Sequence, residues 1–226
     1  MKTKLCIFDL DGTLVNSLYD LADAMNYSLK KNGLPTHERD KYRYMVGNGI
    51  TVLADRAMVV PDNTDPALKE KVLADFHSYY RPHCMDCTRP YNGIPELLDE
   101  LDKMGIAYSV LSNKPDHFTN LIVSTLFKGR KFAVIRGTRE GCPRKPEPDA
   151  ALEIIKEVGV NSEEVLYIGD TNVDMKTAEN AGLKKIGVSW GFRPVSELIE
   201  AKADYIVDTP SDILQIISQK NKKNPL

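Results

Sequence analysis

The chain has 226 residues, enough to bury one sizeable core and a modest second one. Hydrophobic residues make up 42% and charged residues 27%, an ordinary globular composition, and 30 basic against 32 acidic residues leave a net charge of -2. That balance argues against nucleic acid or an anionic membrane surface as a partner, and no apolar run reaches the roughly 20 residues needed to span a bilayer.

Along the chain, MKTKLCIFDLDGTL is cut by acidic residues too early for a secretory signal, so the cytoplasm is the expected location. Residues 4–8 (KLCIF) predict a buried strand that stops abruptly at Asp9-Leu10-Asp11-Gly12-Thr13, a tight polar loop. From about 17 to 83 the periods become helical. Ser17 is expected to cap a helix bearing Leu18, Leu21, Ala22, Met25 and Leu29 on one face and ending at Asn32-Gly33. Thr36 is expected to open a second helix. After the turn Gly47-Asn48-Gly49, a third is expected over Ile50–Met58, and a fourth from Asp65-Pro66 to about Tyr80. Cys84 and Cys87 form a lone C-x-x-C beside His83; no second pair completes a four-ligand zinc site, and reduced thiols are expected.

Beyond Pro90, β-like runs alternate with helices. Strands are expected at Ala107–Leu111, Phe132–Ile135, Val165–Ile168, Lys185–Val188 and Tyr205–Val207. Helices are expected after Pro115, over Pro148–Val158 and Thr171–Ala181, and as a short final segment before a frayed basic tail, QKNKKNPL. Alternating units of this kind predict an α/β fold, a parallel sheet covered on both faces. The expected domains are a core of residues 1–15 and 84–226, interrupted by a helical insertion of residues 16–83.

Ligands of an open parallel sheet gather at the carboxyl ends of its strands. Asp9 and Asp11 close the first strand; Ser112, Asn113 and Lys114 close the second. Lys145 lies in a later strand-to-helix region, and Gly169-Asp170 ends another strand with Asp174 one helical turn on. Asp9 and Asp11 alone could be turn formers, since Asp-Gly is a common turn pair. Joined by Asp170, they form an all-oxygen donor set suited to a hard cation, Mg²⁺ in preference to zinc.

FDLDGTLV, Ser112 in VLSNKP, Lys145 in RKPEPD and Asp170 in GDTNVD resemble, in order, the four signature motifs of the haloacid dehalogenase superfamily. The resemblance implies a Rossmann-like core with an inserted all-helical cap. It implies Mg²⁺ held by Asp9, the Asp11 backbone carbonyl and Asp170, with Asp9 as nucleophile forming an aspartyl-phosphate. Asp11 would serve as acid and base, Lys145 with Ser112 and the Asn113 N–H would receive the phosphoryl oxygens, and Asp174 would orient Lys145 or a metal-bound water. VGNG (Val46–Gly49) and VSWGFR (Val188–Arg193) are similar to segments of the superfamily's phosphoglycolate phosphatases, so the expected partner is a small phosphorylated metabolite, phosphoglycolate first. Asn48 and Arg43 are the cap candidates for the leaving group, with Arg81 behind them. Trp190 fits either beside the site or in the core. One departure is DGTLVNS, where such enzymes often carry DGTLVDS; Asn16 stands at the expected cap hinge.

Two rival readings share this chemistry. A sugar phosphomutase of the β-phosphoglucomutase kind passes the aspartyl-phosphate to a sugar. A phospho-accepting signalling receiver also phosphorylates an aspartate beside Mg²⁺, but is about half this length and lacks a helical insertion. A monomer or homodimer is expected.

Overall fold

The computed structural model describes residues 2–58 and 66–222. Among them the chain divides into two compact units, one of residues 1–15 and 90–226, the other of residues 16–89. No helix among the described residues is long and apolar enough to cross a membrane.

The first unit opens with β1 (Leu5–Phe8), whose four residues are all buried, as a strand covered on both faces requires. The chain leaves through β2 (Val15–Asn16) into the helical unit. There α1 (Leu18–Lys31) buries the expected face, Leu18, Leu21, Ala22, Met25 and Leu29, and ends at Asn32 and Gly33. Its start differs from expectation. Ser17 makes no capping hydrogen bond to the helix; the Asn16 side chain instead accepts from the Leu18 N–H at 3.3 Å. No helix opens at Thr36 either. The Asn26 side chain accepts from His37 N–H at 2.9 Å and donates to its carbonyl at 2.8 Å, which clamps this segment until a 3₁₀ turn over Arg39–Tyr44.

Helix α2 (Ile50–Met58) follows the Gly47-Asn48-Gly49 turn as expected, and α3 spans Pro66–His83. Asp65, the expected start of that last helix, lies outside the described residues. α3 buries Val72, Phe76 and Tyr80 and is tied to α1 by the Ser28 hydroxyl, which donates to Val72 O at 2.6 Å. Buried Asp20 then accepts from Cys87 N, Thr88 N and the Thr88 hydroxyl, ordering the chain before β3 (Arg89–Pro90).

Back in the first unit, α4 (Ile94–Met104) was not among the expected elements, although Ile94, Leu97, Leu98 and Leu101 fall on one helical face. β4 (Ala107–Pro115) is longer than expected and carries Ser112, Asn113 and Lys114 within the strand. α5 (Asp116–Leu126) follows Pro115 as predicted. β5 runs over Ile135–Thr138 instead of Phe132–Ile135; Phe132 lies before the strand, its ring packing edge-on against Tyr108 and Phe127. α6 (Asp149–Val158), β6 (Val165–Gly169), α7 (Asn172–Asn180) and β7 (Lys184–Val188) match the expected alternation. An unanticipated short α8 (Val195–Glu200) precedes β8 (Tyr205–Val207). The final helix α9 (Pro210–Lys222) is longer than expected and takes in Gln219–Lys222 of the supposed frayed tail; 223–226 lie outside the described residues.

Among the described residues, six of the eight strands form one parallel sheet in the order β5-β4-β1-β6-β7-β8. Because β1 lies between β4 and β6, chain crossovers leave it in opposite directions, and a crevice forms beyond its carboxyl end. Asp9 after β1, Asp170 and Asp174 after β6, and Lys145 in the loop before α6 come together there.

Candidate active site

Asp9 follows β1 directly, continues its ladder through a 2.9 Å bond to Ile168 O, and is only 6% exposed. The next residues turn tightly, with the Leu14 and Val15 N–H groups both reaching Leu10 O. Gly12 at φ +94° makes that turn possible. It also lets the backbone approach β6, since a Cβ at Gly12 would lie 2.3 Å from Asp170 Oδ2. Gly191 closes the other side, its Cβ position falling 2.2 Å from Asp170 Cβ. Asp170, fully buried, accepts from Phe192 N–H at 2.8 Å and from the Thr13 hydroxyl at 3.3 Å.

Asp174 occupies the first turn of α7. Its Oδ2 accepts from the Thr171 N–H and hydroxyl, while Thr171 Oγ1 receives the Asp174 N–H, a reciprocal capping box. This fixes the carboxylate and leaves Oδ1 for Lys145, whose Nζ lies 2.7 Å away. The same ammonium lies 2.8 Å from Asp9 Oδ1. Asn113 donates to Lys145 O at 3.1 Å and so ties the loop carrying the lysine to β4.

Asp9, Asp170 and Asp174 each bring a carboxylate oxygen within 4.8 Å of the others, all three buried. Burial pushes Asp9 up to about 7; Lys145 opposes that rise and Asp174 adds to it. Burial, followed by Asp174 and Asp9, likewise holds Asp170 well above the usual carboxylate range. For Lys145, burial works against the charge, but Asp174 and Asp9 outweigh it and keep the ammonium well above its ordinary value.

The side chain of Asp11 turns to Lys114 instead, which reaches both carboxylate oxygens at 2.8 and 3.0 Å. Four acids thus face two lysines in one crevice, formally leaving two negative charges. One divalent cation would neutralise them, and an oxygen donor set lined by backbone too close for any Cβ suits a hard ion such as Mg²⁺.

The core residues singled out from sequence therefore meet in one place: Asp9, Asp11, Ser112, Asn113, Lys145, Asp170 and Asp174. Ser112 and Asn113 are buried beside them, with Ser112 Oγ accepting from Lys114 N–H at 3.2 Å. Arg43 and Asn48 belong to the helical unit. Arg43 is exposed on the 3₁₀ turn, and Asn48 is half-buried between two positive-φ glycines ahead of α2. The Trp190 indole N–H donates to Thr13 O at 3.1 Å, so this residue braces the loop after Asp11. Sequence reasoning missed the pairing of Lys114 with Asp11. The two are 103 residues apart, and no local pattern links them; the one available hint was a second lysine at the end of the same strand as Ser112.

Comparison with known proteins identifies the family of the chain. The model of the haloacid dehalogenase-like hydrolase family matches residues 6–188. The chain is 36% identical over 201 residues to a phosphoglycolate phosphatase of Pseudomonas syringae pv. tomato, covering 86% of this chain and 73% of that protein. It is 29% identical over 220 residues to an N-acetylmuramic acid 6-phosphate phosphatase of Pseudomonas aeruginosa, covering 97% and 96%. Among solved structures, a protein of Lactobacillus delbrueckii subsp. bulgaricus, provisionally described as a phosphoglycolate phosphatase, superposes with a TM-score of 0.91 at 33% identity. That match covers 96% of this chain and 99% of the other.

Proposed function

Because the chain belongs to the haloacid dehalogenase-like hydrolase family, we propose that it is a Mg²⁺-dependent phosphatase of small phosphate monoesters, with phosphoglycolate the leading substrate. The observation that carries this reading is the gathering of Asp9, Asp170, Asp174 and Lys145 in one buried crevice beside Ser112.

Asp9, Asp170 and the Asp11 carbonyl would hold the ion, with Asp174 a further oxygen donor close by. When bound, Mg²⁺ supplies the positive charge that lets a carboxylate approach a dianionic phosphate. The rest falls to the chain's own residues. Asp9 attacks phosphorus in line, and its new O–P bond forms as the ester O–P bond breaks. Asp11 delivers a proton to the departing oxygen, then takes one from the water that cleaves the aspartyl-phosphate and regenerates Asp9. Lys145, held in place by Asp174, faces the nonbridging oxygens, and the Ser112 hydroxyl and Asn113 N–H donate to them. The helical segment, residues 16–83, acts as the cap that selects the leaving group and excludes water, with Asn48 and Arg43 the candidate contacts.

The experiment is phosphate release from phosphoglycolate by the purified protein, with and without Mg²⁺. N-acetylmuramic acid 6-phosphate belongs in the same assay, because the relative named for it matches nearly the whole of both chains. Retention of activity in Asp9→Asn would sink the assignment of the nucleophile.

A further inference from the structure

Lys114 stands at an unusual place for a lysine. It lies within β4, two residues beyond Ser112, and its side chain is 3% exposed. Lysines are almost never fully buried unless paired, and this one pairs with a specific acid, reaching both Asp11 oxygens at 2.8 and 3.0 Å across 103 residues of sequence. Its own N–H is held by Ser112 Oγ at 3.2 Å, so the strand end that carries Ser112 also sets the position of the ammonium. Asp11 follows Leu10 into the Gly12 turn, where its backbone is fixed by bonds within residues 10–15. The two-pronged contact with Lys114 holds the Asp11 carboxylate in one direction.

We propose that Lys114 is a positioning residue for the acid–base step, aiming the Asp11 carboxyl group so that it can exchange a proton with the leaving oxygen and with the attacking water. The proposal rests on the phosphatase reading above and gives Lys114 a task distinct from that of Lys145. Lys145 faces Asp9 and Asp174, whereas Lys114 faces Asp11. Its side-chain contact at this site is with Asp11. Positioned proton transfer contributes roughly 10²- to 10⁴-fold in rate, and a displacement of about 1 Å can remove 10²-fold.

A double-mutant cycle with two substrates tests this. Lys114→Met should lower kcat on phosphoglycolate by about 10- to 100-fold with little change in KM. It should lower turnover of p-nitrophenyl phosphate less, because nitrophenolate departs without needing a proton. In an Asp11→Asn background, Lys114→Met should cost nothing further, since the group it aims is gone. The double variant leaves neither charge unpaired, so its folding, followed by thermal melting, controls for a Lys114→Met protein that is merely unstable. Equal losses from Lys114→Met in both backgrounds, or a rise in KM without a fall in kcat, would overturn the proposal and make Lys114 a substrate-binding or structural residue. If the wild-type chain turns over neither ester with Mg²⁺ present, the phosphatase reading falls and this proposal falls with it. Full wild-type turnover with additive losses removes only the role of Lys114.

Discussion

Lys145, in the loop before α6, places its ammonium 2.7 Å from Asp174 on α7 while also lying 2.8 Å from Asp9 after β1. One buried cation therefore ties together three segments that are remote in sequence. Replacing it with methionine would leave two buried acids facing each other without compensation. Lys145→Met should destabilise the metal-free protein by about 3 kcal/mol at pH 8. The loss should be smaller at pH 5.5, where Asp9 can take up a proton, and urea unfolding at the two pH values measures the difference.

Asp9 gives a pH dependence of definite sign. Burial raises its folded-state value to about 7, against an ordinary value of 3.8. Between those values the folded protein binds the proton that the unfolded chain has released. The contribution of Asp9 is therefore complete below pH 4 and is lost as pH rises through 7, with a slope of at most about 1.4 kcal/mol per pH unit. Asp9→Asn should remove this decline and melt above the wild type at pH 8 without metal, while losing at least about 10³-fold in kcat as the nucleophile disappears. Mg²⁺ should stabilise the wild type increasingly as pH rises through 7 and should stabilise Asp9→Asn far less. Thermal melting across pH with and without Mg²⁺ checks both statements.

Gly12 and Gly191 leave the space that Asp170 fills. A methyl group at Gly12 would fall 2.3 Å from Asp170 Oδ2, and one at Gly191 would fall 2.2 Å from Asp170 Cβ. Either alanine must displace the carboxylate, and at Gly12 the φ of +94° adds backbone strain. Each variant should bind Mg²⁺ at least about tenfold more weakly by calorimetry, a loss of about 1.4 kcal/mol, while keeping the parallel sheet.

Asp174 divides its two oxygens between the α7 cap and Lys145. Asn retains a carbonyl oxygen for one of these tasks but loses the charge. Asp174→Asn should therefore reduce kcat by about 10- to 100-fold, the range seen when an orienting partner is removed, with less effect on the melting temperature than Lys145→Met. Steady-state kinetics beside thermal melting decides it.

Much of this was legible in the residues. Buried strands announce themselves as apolar runs: KLCIF and VLYIG sit at the centre of the sheet, and the acids that end them could be named beforehand. The weaker readings failed where a side chain at a distance overrode a local preference. Ser17 and Thr36 are ordinary cap residues, yet Asn16 takes the first role and Asn26 holds the chain where the second helix should begin. Phe132 looked like strand because it is apolar, and its partners prove to be aromatic rings.

The sequence by itself determined the alternation of strands and helices, the interruption after the first strand, and which polar residues stand at strand ends, because these follow from periodicity and from what a buried strand can tolerate at its tip. Tertiary structure alone decided how the charges pair. Two lysines and four acids admit several arrangements of similar local cost, and only sheet order, with β1 between β4 and β6, brings Lys145 to Asp9 and Asp174 and Lys114 to Asp11. Coulomb energy depends on distance in space, which residue spacing does not encode for groups 29 to 136 positions apart, as Lys145 is from Asp174 and from Asp9.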